Sequence, residues 1–315
     1  MTTYIIRRIL MTIPILIGIS IISFGIMQFA PGEPTALDLD PTITPEDREE
    51  QLDALGLNDP IPVQYVRWAG NILQGNLGNS FITNRDVGSM IWERLPNTLV
   101  LMISSTIITM VVAIPIGIIS AMRQYSARDY VFTFGSFIGV SIPNFWLGLM
   151  LIMFLSVQLG WFPVGGVTTL GGEFSILDRL HHLFLPALVL ATADMAQMTR
   201  YTRTSMLEVK NQDYIRTARA KGFKERRVVY KHGLRNALMP LITMFGLLLP
   251  TFIGGSVVVE QIFTWPGIGQ LFLDHTFQRD YPVIMALTMF GAGLVVIGNL
   301  IADILYAIAD PRIEY

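Results

Sequence analysis

Six apolar runs, at residues 9–30, 99–122, 131–159, 185–199, 238–259 and 282–309, alternate with polar connectors along this 315-residue chain. The first holds about 22 residues, enough for a helix to cross a hydrocarbon core of ~30 Å. Hydrophobic residues make up 52% of the chain and charged residues 15%, so a water-soluble globule is excluded and lipid must act as solvent for much of the surface. Arg7 and Arg8 precede the first run, which is longer than the apolar core of a cleaved signal peptide. It therefore reads as a retained helix that starts inside the cell.

The net charge of −2 hides a sharp division between connectors. Residues 31–97 carry eleven acids against four arginines, whereas residues 200–235 carry eleven Lys/Arg against three acids. Threading the six runs through a membrane puts 16 basic residues inside and 6 outside, which fits both termini in the cytoplasm. The chain then divides into a first membrane helix (1–30), an extracytoplasmic helical lobe (31–97), a five-helix core (98–309) with a cytoplasmic loop at 204–235, and a tail (310–315). In the lobe, Thr44-Pro45-Glu46-Asp47 opens a helix that Gly56 ends, and a second helix over 63–73 puts Val63, Val66, Gly70 and Leu73 on one side. Val87, Met90, Ile91 and Leu95 predict an amphipathic segment lying on the membrane surface before Pro96.

The basic loop has internal design. Asp213 is expected to cap a short helix, with Ile215, Ala218 and Gly222 as its small apolar stripe. Gly222 permits a left-handed turn, and Lys224 starts a second helix that climbs to the membrane at Pro240. The product is a helix–glycine–helix elbow on the cytoplasmic side, shaped to dock on a soluble partner.

Chemistry-bearing motifs point away from catalysis. There is no G-x-x-x-x-G-K-[ST] to cradle phosphates, no H-E-x-x-H or G-x-S-x-G, and no cysteine for disulfides, thiol chemistry or metal ligation. His181 and His182 are adjacent on a helix and so point apart, and no metal site is expected there. Residues 260–281 lie outside but carry Phe263, Trp265, Ile268, Leu271 and Phe272, which predicts a partly re-entrant segment. Gly135-x-x-x-Gly139 predicts a close helix approach. Asn144, Asp194, Asn299 and Asp303 are polar residues within the runs, expected to line a pathway or bridge helices. Transport is the leading class, with the energy supplied by another chain. An ion-coupled carrier working through Asp194 or Asp303, or a membrane scaffold, would be the alternatives.

Five separated stretches carry a resemblance that covers nearly the whole chain: YIIRRILMTIPILIGISIISF with FAPGEP, SIPNFWLGLMLI, TARAKGF with HGLRNALMP, EQIFTWPGIGQL with RDYPV, and NLIADILYAIADPRIEY. Together they resemble the first of the two permeases in dipeptide/oligopeptide/nickel ABC importers. In the family's Glu-Ala-Ala loop pattern aligned on Gly222, the three places are held by Arg216, Thr217 and Ala218, of which only the last agrees. The resemblance implies an all-α polytopic protein with six transmembrane helices and a type I ABC importer (MetI-like) core. It implies a second homologous permease, two ATP-binding subunits and an extracytoplasmic solute-binding protein as partners, with no role for nucleic acid. ATP-Mg would sit on the partner ATPases and no cofactor on this chain. Tyr214, Thr217, Ala218 and Gly222 would touch the ATPase, with Arg216, Arg219 and Lys221 as complementary charges. The expected site of action is the bacterial cytoplasmic (inner) membrane. The expected cargo is oligopeptide or dipeptide, with nickel, glutathione or oligosaccharide left open.

Overall fold

Residues 2–29, 49, 52–53, 56–173, 175–234, 237 and 251–309 are described in a computed structural model, with side chains outside 2–6, 8–9, 251–255 and 301–309. They are helical almost throughout, apart from a single β-bridge between Asn79 and Asp86. The expected helix start at residues 44–47 lies outside the described residues. Two compact units emerge, the first formed mainly by Met1–Pro96 with Gly267–Leu300 and the second by Asn97–Pro266 with Ile301–Glu314.

In the first unit, α1 (Thr2–Phe29) exposes Ile13, Ile17, Ile21 and Ile26, as a helix facing lipid must. Its outer end packs on α2 (Ile61–Leu73), where Phe24 meets Tyr65 and Trp68 and Ser20 hydrogen-bonds Tyr65 at 2.9 Å. The side expected to be the apolar face of α2 is turned outward instead, with Val63, Val66 and Leu73 exposed. The aromatic side is turned toward α1 and half-buried there, because two rings remove more apolar area from water than three aliphatic side chains and a glycine. The stripe Val87–Met90–Ile91 was expected on the membrane surface but opens α3 (Val87–Met122), one continuous helix. These residues pack against Ile268 and Leu271 of α10 (Ile268–Phe277) and Val283 and Leu287 of α11 (Tyr281–Ala309), so protein rather than lipid covers them.

A buried carboxylate ties this unit together. Asp280, 0% exposed, accepts from Ser80 Oγ at 2.5 Å and Phe81 N at 3.0 Å, and lies 2.9 Å from His275 Nδ1. Burial pushes its carboxyl up, but the bonds from His275, Ser80 and Phe81 outweigh that and hold it below the usual carboxylate range. A carboxyl depressed in the folded state stabilises fully above its unfolded value, about 4, and loses that contribution as pH falls toward the folded value. Limited proteolysis of the lobe should therefore be unchanged between pH 7 and 5 and quicken below about pH 4, while Asp280→Asn should show the quickened pattern at neutral pH. Equal cleavage of variant and parent at pH 7 would refute the clamp.

In the second unit, the third apolar run does not form one straight helix. It divides into α4 (Ala127–Ser141) and α5 (Asn144–Leu151, continued by π-helical turns over Ile152–Gln158), bent by 100°. Pro143 supplies the cause, because the residue before a proline is driven out of the helical region and Ile142 is extended, at φ −83° and ψ 121°. α6 (Ile176–Lys210) starts where Ser175 accepts from Asp178 N, earlier than the sequence suggested, and packs on both α4 and α5. Described next along the chain are α7 (Asp213–Ala220), α8 (Glu225–Arg227, continued by π turns over Val228–Gly233) and α9 (Thr251–Ile262). By length and composition α1, α3, α6 and α11 can cross a membrane, and the bent α4–α5 pair makes a fifth crossing if taken as one. Most of the fifth apolar run, residues 238–250, lies outside the described residues.

The outer core of this unit gathers Leu101, Leu185, Val189, Val259, Phe263 and Trp265. Trp265 is 0% exposed and donates from Nε1 to Asn97 O at 3.0 Å, while Asn97 donates to Pro266 O and accepts from Arg179. Phe263 and Trp265 of the expected re-entrant segment are covered by protein. His181 Nε2 lies 2.6 Å from Trp161 O and His182 Nδ1 lies 3.0 Å from Gly165 O, so both rings fasten the 160–166 loop by backbone carbonyls.

Candidate functional site: the basic elbow

The elbow forms as a helix, a glycine turn and a second helix. Gln212 rather than Asp213 occupies the position before α7, without a side-chain cap. Asp213 instead lies in the first turn, where a negative charge complements the helix dipole, 3.4 Å from Arg216. Gly222 has φ +74°, and a Cβ built there meets nothing within 4 Å. The glycine is therefore required by the backbone and not by crowding.

Ile215 and Ala218, 2% and 5% exposed, are turned inward against Val228, with Val209 and Phe223 around them. Ala218 was expected to touch the ATPase, but its methyl group is buried beneath the elbow because the apolar stripe must pack somewhere. The outward face of α7 is carried by Tyr214, Arg216, Thr217 and Lys221, all exposed. Arg219 is half-buried and engages Glu225 through two bonds, at 2.8 and 3.2 Å, closing the elbow across Gly222. The hydrogen bonds from Arg219 hold the Glu225 carboxyl below its usual range. The pair is largely solvated, so Glu225→Gln should change thermal stability by less than about 1 kcal/mol, and less still in high salt. A larger, salt-independent loss in melting of the purified protein would show that the pair is more than a surface contact.

Of the polar residues in the spans, Asn144 opens α5 and Asp194 lies midway along α6, each half-buried and with no hydrogen-bond partner among the described residues. Asn299 is exposed on α11, and the backbone of Asp303 is helical while its side chain lies outside the described set.

Residues 113–315 match the family described as "Binding-protein-dependent transport system inner membrane component", and residues 1–102 match its N-terminal companion. The chain belongs to this family. It is a multi-pass inner-membrane permease subunit and not an enzyme. The permease is 66% identical over 316 residues to the "Oligopeptide transport system permease protein AppB" of Bacillus subtilis, covering 100% of both chains. It is 39% identical to the "Di/tripeptide transport system permease protein DppB" of Pseudomonas aeruginosa, over 100% of this chain and 99% of that one. Its fold is similar to a chain in inward-facing structures of the MetNI methionine ABC transporter, with a TM-score of 0.51 at 18% identity over 69% of this permease and 96% of that chain.

One arrangement in the permease escaped the sequence reading. Asp129, 3% exposed near the start of α4, accepts from Arg203 Nε at 2.8 Å and Nη2 at 2.9 Å, from Tyr125 N at 2.9 Å, and from Ser120 Oγ. Close approach of the same helices is allowed by Gly117, where a Cβ would come within 2.6 Å of Thr202, and by Gly139, where it would meet Ala196 at 3.2 Å. Of the expected Gly135–Gly139 pair, only Gly139 is used this way.

Proposed function

We propose that this chain is one of two permeases in an ATP-driven bacterial importer of oligopeptides or dipeptides, and that it forms half of the pathway. Full-length 66% identity to a protein named as an oligopeptide permease carries the cargo class. Six transmembrane helices with both termini in the cytoplasm fit the distribution of basic residues. Of two cytoplasmic ATPases, which hold the ATP-Mg, one docks on this elbow and the other on that of the second permease, and an extracytoplasmic binding protein delivers the peptide. Tyr214, Arg216, Thr217 and Lys221 are the contact residues, with Gly222 setting the turn and Arg219 shaping it from within. ATP binding closes the ATPase pair and carries the elbow with it, turning the pathway outward, and hydrolysis resets it inward. Asn144, Asp194, Asn299 and Asp303 are the polar residues that would line the pathway or bridge helices.

Purification of the tagged chain from its native membrane in mild detergent tests this. A second permease and ATPases should co-purify in stoichiometric amounts, and peptide-loaded binding protein should stimulate hydrolysis. Recovery of the chain alone, under conditions that preserve other complexes, would overturn the proposal.

A further inference from the structure

We infer that the Asp129–Arg203 pair is the strut by which movement of the elbow reaches the α3–α4 hairpin. Among the described residues it is the one ion pair that joins two membrane-embedded helices. Its geometry is directional. Both nitrogens of the Arg203 edge meet both oxygens of Asp129, a fork-to-fork match that resists sliding and rotation. The same carboxylate also takes Ser120 Oγ from α3 and Tyr125 N from the turn, so one group fastens α3, the turn, α4 and α6.

What lies on either side of the pair gives it this role. Arg203 is ten residues before Asp213, on the same unbroken helix that ends at Lys210 and hands over to α7. Below it, Met206 packs with Val229 and with Ile118 and Ala121 of α3, and Val209 packs beneath Ile215, Ala218 and Val228, so the elbow and the end of α6 form one packed body that rests on the end of α3. Above it, α6 meets α3 and α4 through Met198 packed on Ala113 and through close approaches at Gly117 and Gly139, contacts that carry no charge. Arg200 lies 5.9 Å from the exposed Phe137 ring, a contact without directional bonds. Apolar packing alone fixes no register, so the ion pair is the charged, bidentate link that holds the hairpin in step when the elbow is pushed. Asp129 and Arg203 are positioning residues for transport.

The inference rests on the importer reading, and the test separates the two. The complete complex is reconstituted in proteoliposomes, and both ATP hydrolysed and peptide imported are measured with loaded binding protein. Parent complex that shows no stimulated hydrolysis would overturn the importer reading itself. With a coupled parent, Asp129→Asn and Arg203→Gln should each lower peptide imported per ATP by at least about fivefold at equal amounts of assembled complex. The double variant should lose no more than either single, because one joint is broken in all three. Arg203→Lys, which keeps the charge but not the fork, should fall between and serves if the harsher changes block assembly. The chain has no cysteine, so Asp129→Cys with Arg203→Cys offers a unique site for a short bifunctional thiol reagent. Bridging it should raise import per ATP above the unbridged double variant. Parent-like import per ATP in assembled Asp129→Asn or Arg203→Lys complexes would overturn the strut, as would bridging that leaves the ratio unchanged.

Discussion

Replacing Gly222 with tryptophan will abolish stimulation of the partner ATPases by loaded binding protein, while the chain still inserts in the membrane. Two effects act together. At φ +74° an L-residue costs about 1–2 kcal/mol, which alone strains the turn. A Cβ at this position meets no heavy atom within 4 Å, so on the proposed reading the ring would project toward the docked ATPase. A bulky group at the centre of an interface can cost about 2 kcal/mol or more, some thirtyfold in affinity. Gly222→Ala carries the backbone strain without the bulk and should lose much less. The measurement is ATPase rate in proteoliposomes with the whole complex, and parent-like coupling in Gly222→Trp would remove Gly222 from the joint.

Trp265→Ala will be the most destabilising single change among the buried side chains of the outer core, by about 3–5 kcal/mol. The indole is fully enclosed beside Phe263, Leu101 and Val259. Its loss also strips Asn97 O of a donor at a point where Asn97 is already committed to Pro266 and Arg179. Trp265→Phe keeps much of the volume but not the N–H, and should cost about 1–3 kcal/mol. Thermal unfolding in detergent, followed by loss of the monodisperse species, ranks the three proteins. An alanine variant as stable as the parent would mean that the core around Val259 and Leu101 packs without the ring.

The elbow was legible in the sequence because three local signals coincide there: a dense run of basic residues, a spaced apolar stripe and a glycine. Ile215 and Ala218 face inward as their spacing required, and Gly222 turns left-handed as expected. Which of those residues remain free for a partner was not legible. The spacing defines a stripe, but only the packing of Val228 and Phe223 over it decides that Ala218 is covered. The Asp129–Arg203 pair was hidden for a different reason. Its members are 74 residues apart, and each alone reads as a charge obeying membrane topology. On α2 the helix was expected but its orientation was not, since apolar residues lie on more than half of its circumference and periodicity cannot choose between them.

The break between α4 and α5 restricts how the permease can be seated among neighbours. Fifteen residues of α4 rise about 22 Å, less than the ~30 Å of a hydrocarbon core, before the chain turns by 100°. A helix that stops at that depth leaves amides and carbonyls without intrahelical partners, and acyl chains offer none. The Ser141 hydroxyl satisfies Phe137 O, but Ser141 and Pro143 are exposed on this chain. Water or another polypeptide must therefore border that corner in the membrane. The kink works as a compass needle: any rotation of the subunit that points it toward lipid is forbidden, whatever its other contacts allow.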